Sequence, residues 1–593
     1  MKRAKPFPKI FVHCPEIDQV STALISRADR MLSLPEREGF DLRRILAHRS
    51  ILTGEAGSNA VKSILTDVDA AIERILIGHD AVRMMAAQRR VARSIDNDGS
   101  RYLGWVNGRR TAELAILKYA NPTGLLDQTA RSLVSWTFSE DELETIARLR
   151  ALAILYYDLT GHYRRLGKGM SLRIARSWPL KVVPADTTSR KLDRLIEIWE
   201  ERTRKNRTSI TGVLGQHREA NAAAQHESII VAMWREAGED DPVTLDSMTL
   251  EGQDVSFDVT FHSPSADLIA DFGHLDQVVR VRHGVSMRAL FEALRVVSLP
   301  AILQMRDGRV DGLAATLSLA TLYRRGYTIG LWPSEDELRY RLDLLAQMRG
   351  EPAHPTDEIW RALKVASLEP ATISLHDRSP SAPIYRFGSR YLYDAVAAGQ
   401  FLVQLLRDLH AEDAVQRQAD LKFEDQIHAK LKRFGHQPFA SGRIIKMKGT
   451  HLTDLDASVV SHGVLIMADA YSSAKSTALD QGDFRATRNR ASFLVKKAEA
   501  WLNKANIIAK EGGWDNLAVA DYGITHIFPV VVTAAVEWLP DDSAKLWLDD
   551  DTPRVLTLTE LIEHVEHLDP AALKNASIPV TGTRPTQKAG KRK

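Results

Sequence analysis

The sequence of 593 residues contains a single cysteine, Cys14. One cysteine excludes both an intrachain disulfide and a cysteine-rich zinc site, and it fits a reducing compartment, so we expect a cytoplasmic protein. The longest apolar runs, such as residues 153–157, are far below the ~18 residues that a membrane helix requires. No apolar signal core follows the basic start of the chain. We therefore expect no membrane partner.

The sequence also has little net charge and no strict internal repeat. The formal net charge is +3, so no global field attracts nucleic acid and any basic surface must be local. The lack of a 30–45-residue repeat gives no support to a solenoid. Residues 54–63 look like a phosphate-binding loop but lack a glycine directly before the lysine, so a nucleotide site is not predicted there.

The chain reads as a multidomain protein with a helical first part. At roughly 100–200 residues per domain, its length predicts about three or four domains. Apolar residues recur at helical spacing through most of residues 15–235, whereas residues 255–261 alternate as in a strand. We predict a helical domain over 1–235, a mixed, mostly helical domain over 236–410, an α/β domain over 411–575 and a disordered basic tail over 576–593.

The third of these segments mixes helices and strands in a definite order. The patterns predict a helix over 411–434, strands near 442–448, 455–460 and 463–469, a helix over about 484–510 and a strand over 527–533. This α-β-β-β-α-β order is typical of a compact α/β domain.

Two acids are placed in this segment as a metal site requires. Asp456 stands beside an apolar run, and Asp469 ends the next one. A carboxylate on a buried strand is costly without a partner, and Mg²⁺ prefers hard oxygen ligands. We predict that Asp456 and Asp469 bind Mg²⁺ (or Mn²⁺), which would activate water for phosphodiester hydrolysis.

Residues 411–540 resemble the restriction-endonuclease-like, or PD-(D/E)XK, nuclease superfamily. The resemblance implies that Glu424 is the helix glutamate, Asp456 the first-strand aspartate and Asp469 the second-strand acid. Lysine belongs two residues later, where this chain has Tyr471, and Lys475 is the candidate to replace it. The resemblance also implies that the following helix faces the phosphate backbone, through Arg485, Arg488, Arg490, Lys496 and Lys497.

The predicted fold class is therefore a mainly α N-terminal region followed by a C-terminal α/β restriction-endonuclease-like domain. The implied function is a metal-dependent nuclease acting on DNA, similar to bacterial antiviral defence effectors by analogy. The helical region would bind a partner protein or a second copy. Tyrosine, with a pKa near 10, supplies no cation. A non-catalytic nucleic-acid-binding or scaffold protein with a degenerate nuclease fold, and a helical assembly module that binds no nucleic acid, therefore stay open.

Overall fold

The computed structural model divides the chain into two compact units that interleave along the sequence. Unit 1 comprises residues 1–166, 171–183 and 211–406, and unit 2 comprises residues 167–170, 184–210 and 407–593. The residues that the structure describes are 51–90, 103–122, 138–175, 181–216, 229–234, 247–250, 253–262, 276–306, 327–349, 352–376, 382–394, 397–398, 401, 423–425, 427–432, 436–471, 477–540, 543, 545–548, 552–567 and 570–584.

The described helices of the first 400 residues carry apolar residues at helical spacing, and most are amphipathic. In α1, the side chains of Val61, Ile64, Leu65 and Val68 are all buried, as their spacing predicts. The helices are α1 (Gly54–Leu76), α2 (Ala81–Arg90), α3 (Leu103–Tyr119), α4 (Glu140–Gly167), α5 (Thr187–Gln216), α6 (Asp276–His283), α7 (Met287–Arg306), α8 (Glu335–Arg349) and α9 (Thr356–Val365).

Short strands join these helices and form three small sheets. The strands are β1 (Ile51–Leu52), β2 (Leu172–Ala175), β3 (Lys181–Pro184), β4 (Ile229–Trp234), β5 (Ser247–Leu250), β6 (Gln253–His262), β7 (Tyr327–Leu331), β8 (Ser367–Leu368), β9 (Ile384–Phe387) and β10 (Arg390–Asp394). Their orders are β1-β2-β3, β4-β6-β5 and β7-β10-β9-β8. Residues 1–235, predicted as a helical domain, therefore also contain β1 to β4. These strands were not predicted, because two to six residues are too few to show a clear period.

The C-terminal part follows the predicted α-β-β-β-α-β order with additions. Residues 423–425 and 427–432 are helical. The later elements are β11 (Arg443–Met447), β12 (Thr450–Leu455), β13 (Ala457–Ser461), β14 (Val464–Tyr471), α10 (Thr477–Gln481), α11 (Phe484–Glu511), β15 (Gly513–Trp514), β16 (Leu517–Ala518), β17 (His526–Thr533), β18 (Val555–Thr557), α12 (Leu558–His567), α13 (Pro570–Asn575) and β19 (Ile578–Pro579).

A mixed sheet of order β13-β14-β17-β18 forms the centre of this part. β13 and β14 are an antiparallel hairpin, and its turn places His462 and Gly463 at positive φ. β14 and β17 are parallel, so a crossover must join them, and the chain between them contains the long helix α11. β19 pairs antiparallel with the start of β17, while β18 pairs with its end.

Two apolar layers cover the two faces of this sheet. Because side chains alternate along a strand, Leu465 and Met467 of β14 face α11, while Ile466 and Ala468 face the helical segment 423–432. α11 contributes Leu494, Ala498, Trp501, Ala505 and Ile508 to its layer. Phe423, Ile427 and Leu431 contribute to the other. The sheet is therefore a buried middle layer, as in other α/β domains.

Specific polar contacts fix α11 on this sheet. Asp483 caps its N-terminus, with the carboxylate accepting the backbone N–H of Ala486 at 2.9 Å. Trp501 donates its indole N–H to the carbonyl of Met467 on β14 at 2.9 Å. Gly512 ends the helix at φ 74°, a left-handed conformation that glycine adopts without strain. These contacts determine which α11 side chains reach the end of β14.

The structure corrects three further predictions for this part. The predicted strand near 455–460 runs through Asp456, whereas β13 begins only at Ala457, and β12, which ends at Leu455, was not predicted. Residues 576–584, assigned to a disordered tail, include β19, and the Arg584 guanidinium lies 3.0 Å from the Asp515 carboxylate. The predicted domains over 1–235 and 236–410 both fall mainly within unit 1.

None of the described helices is long and apolar enough to cross a bilayer.

Candidate active site

Asp456 and Asp469 lie side by side at one end of the β13–β14 hairpin. The strands pair Ala457 with Ala468, so the next residue on each strand is one of these acids. Both point to the sheet face that α11 covers, because side chains alternate along each strand. One Asp456 carboxylate oxygen accepts the backbone N–H of Ala470 at 2.9 Å. The Asp469 carboxylate is close enough for its charge to act on the Asp456 carboxyl.

The close approach of these acids changes the protonation of Asp456. Burial, followed by the negative charge of Asp469, raises the pKa of Asp456 to about 7. The backbone N–H of Ala470 acts in the opposite direction, and the charge of Glu424 adds to the rise. Asp456 therefore holds a proton for part of the time at neutral pH. A carboxyl whose pKa is raised by burial and by a neighbouring acid is a frequent feature of catalytic and metal-binding sites.

A lysine from α11 completes this group. The Lys497 ammonium lies 2.7 Å from the second carboxylate oxygen of Asp469. The Lys497 side chain is 24% exposed and that of Asp469 is 14% exposed, so the pair is largely shielded from water. The site therefore contains two acids and a cation, although β14 has no lysine two residues after its acid.

Tyr471, which occupies the expected lysine position, contacts two cations of α11. Its hydroxyl accepts a hydrogen bond from Arg490 at 3.0 Å, and the Lys497 ammonium lies 5.2 Å from the centre of its ring. A cation at this distance from a tyrosine ring is attracted to the ring face. Arg490 in turn pairs with the buried carboxylate of Glu537 at 2.8 Å. Tyr471 therefore helps to position the lysine that the strand itself lacks.

The helical segment 423–432 reaches the site from another direction. Glu424 lies near enough for its charge to raise the pKa of Asp456. One turn later, the His428 ring nitrogen Nε2 lies 3.0 Å from the backbone oxygen of Asp456. Sequence analysis missed His428, although its spacing of four residues from Glu424 puts both on one helix face. This hydrogen bond ties the helix to the point where β12 and β13 meet.

The predicted phosphate-binding residues fall into two groups. Arg485, Arg488 and Lys496 are exposed on α11, and the Arg488 guanidinium lies 5.6 Å from the ring centre of Phe484. In contrast, Arg490 and Lys497 point inwards to Glu537 and Asp469. The prediction of a phosphate contact for Arg490 needs correction, because its charge is committed to a buried partner. Lys475, the predicted substitute lysine, lies outside the described residues.

The acids of the site match the ligand chemistry of a hard divalent cation. Among the residues with described positions, no group of three or more His, Cys, Asp and Glu side chains is placed to hold a metal ion. Mg²⁺, however, usually takes only one or two protein carboxylates and fills its remaining positions with water and substrate phosphate. The adjacent carboxyls of Asp456 and Asp469 supply that number, so the donor set fits Mg²⁺ or Mn²⁺.

No family model, curated protein or solved structure matches this chain. The site consists of two carboxyls opposed across a hairpin, Lys497 from the crossover helix α11 and Glu424 from the helical residues 423–425. The resemblance to the nuclease superfamily stays a prediction. It implies most specifically that a lysine lies beside Asp469, the acid of the second strand.

Proposed function

We propose that unit 2 is a metal-dependent nuclease-like domain that acts on DNA. Asp456 and Asp469 are the proposed ligands of Mg²⁺ or Mn²⁺, and Glu424 supports Asp456. Lys497 takes the role that the sequence assigned to Lys475. A role in bacterial antiviral defence is part of the proposal by resemblance alone, and a location in the cytoplasm is part of it because the chain has a single cysteine.

One observation carries this proposal: Lys497 pairs with Asp469 beside a second, largely buried carboxyl, that of Asp456. A lone acid at a strand end is usually a turn or capping residue, and neither role requires a buried cation and another acid. The three groups come from two strands and a helix that are distant in sequence. Their convergence fits a reaction centre for a phosphodiester, in which negative charge develops on the scissile phosphate.

Each side chain has a distinct part in the proposed chemistry. A bound divalent cation lowers the pKa of its water and offsets the charge of the scissile phosphate. Asp456 must lose its proton to become a ligand, and its pKa of about 7 allows this near neutral pH. Lys497 exchanges its ion pair with Asp469 for contacts to the attacking water or the phosphate. Tyr471 and Arg490 limit the positions that the lysine can take.

A direct test is a nuclease assay with the purified full-length protein. Linear, circular and single-stranded DNA and RNA are incubated with Mg²⁺, Mn²⁺ or EDTA. We expect cleavage with either metal and none with EDTA. Asp456→Asn, Asp469→Asn and Lys497→Met should each reduce the cleavage rate at least about 100-fold, since each removes a metal ligand or the only described cation at the acid pair.

Lys510→Met is the matched control, because Lys510 is an exposed lysine on the same helix, thirteen residues from Lys497. We expect it to change the rate less than about fivefold, the scale of one lost surface charge. Lys475→Met separates the two candidate lysines, since a loss of cleavage in this variant alone would return the role to Lys475. Metal-independent binding without cleavage under any condition would identify the alternative, a non-catalytic nucleic-acid-binding protein with a degenerate site.

A further inference from the structure

Phe493 is exposed at the edge of the candidate active site. Its side chain is 49% exposed on α11, and its ring packs against that of Tyr471, with centroids 5.3 Å apart and planes tilted by 34°. Single exposed apolar residues are common on protein surfaces and need no explanation alone. The position of Phe493 is informative, because its partner Tyr471 is only two residues from Asp469 on β14.

Phe493 also lies within a row of cations. Arg490, Phe493 and Lys497 are three and four residues apart, so they share one face of α11. From Phe484 to Lys497 the helix contains no acid and five cations, of which Arg485, Arg488 and Lys496 are exposed. Exposed aromatic rings between cations are how proteins bind single-stranded nucleic acid, since bases stack on the rings and phosphates pair with the cations.

We infer that Phe493 is the stacking platform for an unpaired base, and that the substrate strand is single-stranded at the site. This inference rests on the proposed nuclease function and specifies its substrate. In a duplex, both faces of each base are covered by neighbouring bases, so a ring cannot stack on them unless the base leaves the helix. A base on Phe493 would place the adjoining phosphates beside Lys496 and the carboxyl pair.

The test measures binding by fluorescence anisotropy, using labelled 20-nucleotide single strands of DNA and RNA and the corresponding DNA duplex. EDTA is present, so no strand is cut. We expect the full-length protein to bind single strands at least about tenfold more tightly than the duplex. Phe493→Ala and Phe493→Leu should weaken single-strand binding by about 5- to 150-fold, the range for one stacked base. Phe493→Trp should retain it.

Ile507→Ala provides the matched control. Ile507 is an exposed apolar residue on the same helix, 43% exposed and fourteen residues from Phe493, or about 21 Å along the axis. We expect it to bind like the parent protein. Equal affinity of parent, Phe493→Leu and Phe493→Trp would overturn the inference, as would a preference for duplex or no binding of nucleic acid at all.

The nuclease assay keeps this inference separate from the proposed function. Metal-dependent cleavage of duplex DNA that Phe493→Ala leaves unchanged would overturn the inference and keep the function. Phe493-dependent binding of single strands without cleavage would keep the platform and overturn the function. Comparison of the affinities for single-stranded DNA and single-stranded RNA shows whether the surface prefers deoxyribose or ribose.

Discussion

At the scale of single residues, the acid pair was predictable from the sequence and its lysine was not. Asp456 and Asp469 flank short apolar runs of strand length, and a tight hairpin between two such runs brings their outer ends together. The position of Lys497 depends instead on the angle at which α11 crosses the sheet. That angle is set by packing at Leu494, Ala498 and Trp501, which no local pattern contains.

The raised pKa of Asp456 predicts how stability depends on pH without metal. Between about pH 4 and 7, the folded protein binds more protons at Asp456 than the unfolded chain, so this carboxyl makes folding less favourable as pH rises. Asp456→Asn should remove this dependence. At pH 8 its free energy of unfolding should exceed that of the parent protein by about 2 kcal/mol, which is less than the full pKa shift would give because water partly screens the carboxyl. Urea denaturation in EDTA at pH 5 and pH 8 measures the difference.

Asp454→Asn is the control for this measurement. Asp454 lies two residues away, is 65% exposed and pairs with His451 on the surface. We expect it to leave the difference between pH 5 and pH 8 close to that of the parent protein. If Asp456→Asn and the parent lose equal stability between these pH values, Asp456 does not hold the proton that we assign to it.

At the scale of elements, the helices and main strands were predictable, but their interruptions were not. The predicted helix over about 484–510 agrees with α11, and the predicted strand over 527–533 agrees with β17. The break between β12 and β13 escaped prediction, because the apolar alternation continues through Asp456. Asp456 lies at this break, one residue before the point where β13 pairs with β14.

The end of α11 gives a prediction about backbone geometry. Gly512 has φ 74°, and a Cβ atom added there would lie 2.4 Å from the backbone oxygen of Gly582. Gly512→Ala therefore combines a left-handed conformation, which costs an alanine about 1 kcal/mol, with a clash between two backbone segments. We expect a loss of about 3 kcal/mol or more in the free energy of unfolding, measured by urea denaturation.

Gly523→Ala separates these two contributions. Gly523 has nearly the same backbone angle, φ 68°, but a Cβ atom there meets nothing within 4 Å. Its substitution should cost only the conformational part, about 1 kcal/mol. Equal losses in the two variants would show that the contact between Gly512 and Gly582 is not close in solution.

At the scale of the whole molecule, the division into contiguous domains could not be predicted. Sequence analysis assigned residues 184–210 to the N-terminal helical domain, because their apolar spacing matches that of neighbouring helices. The structure groups them with residues 407–593. The cause is a set of contacts made by α5: Arg202 pairs with Glu560 at 2.8 Å and donates to the Val555 carbonyl at 2.9 Å. Such long-range pairs leave no local pattern.

These contacts predict that α5 stabilises unit 2. The Arg202 and Glu560 side chains are 10% and 14% exposed, so Arg202→Met leaves a nearly buried carboxylate without its cation. We expect the free energy of unfolding of unit 2 to fall by about 3 kcal/mol. Lys205→Met, at an exposed pair with Glu201 on the same helix, should change it by less than about 1 kcal/mol.

Urea denaturation of the three full-length proteins measures these differences. A fragment of residues 407–593 alone should unfold at still lower urea, because it lacks all the contacts of α5. A fragment as stable as unit 2 in the full chain, or equal effects of the two substitutions, would contradict this role of α5.

The interleaving of the units also determines when the active site can form during synthesis. The ribosome releases residues 184–210 long before β17 and β18. Residues 184–210 contact β18 through Arg202, and β17 pairs with β14, the strand that carries Asp469. Domains that are contiguous in sequence can fold as they emerge, but unit 2 must wait for almost the whole chain. Under the proposed nuclease function, a chain whose translation stops before β17 therefore carries Asp456 and Asp469 on an unfinished sheet and would not cut the DNA of the cell that makes it.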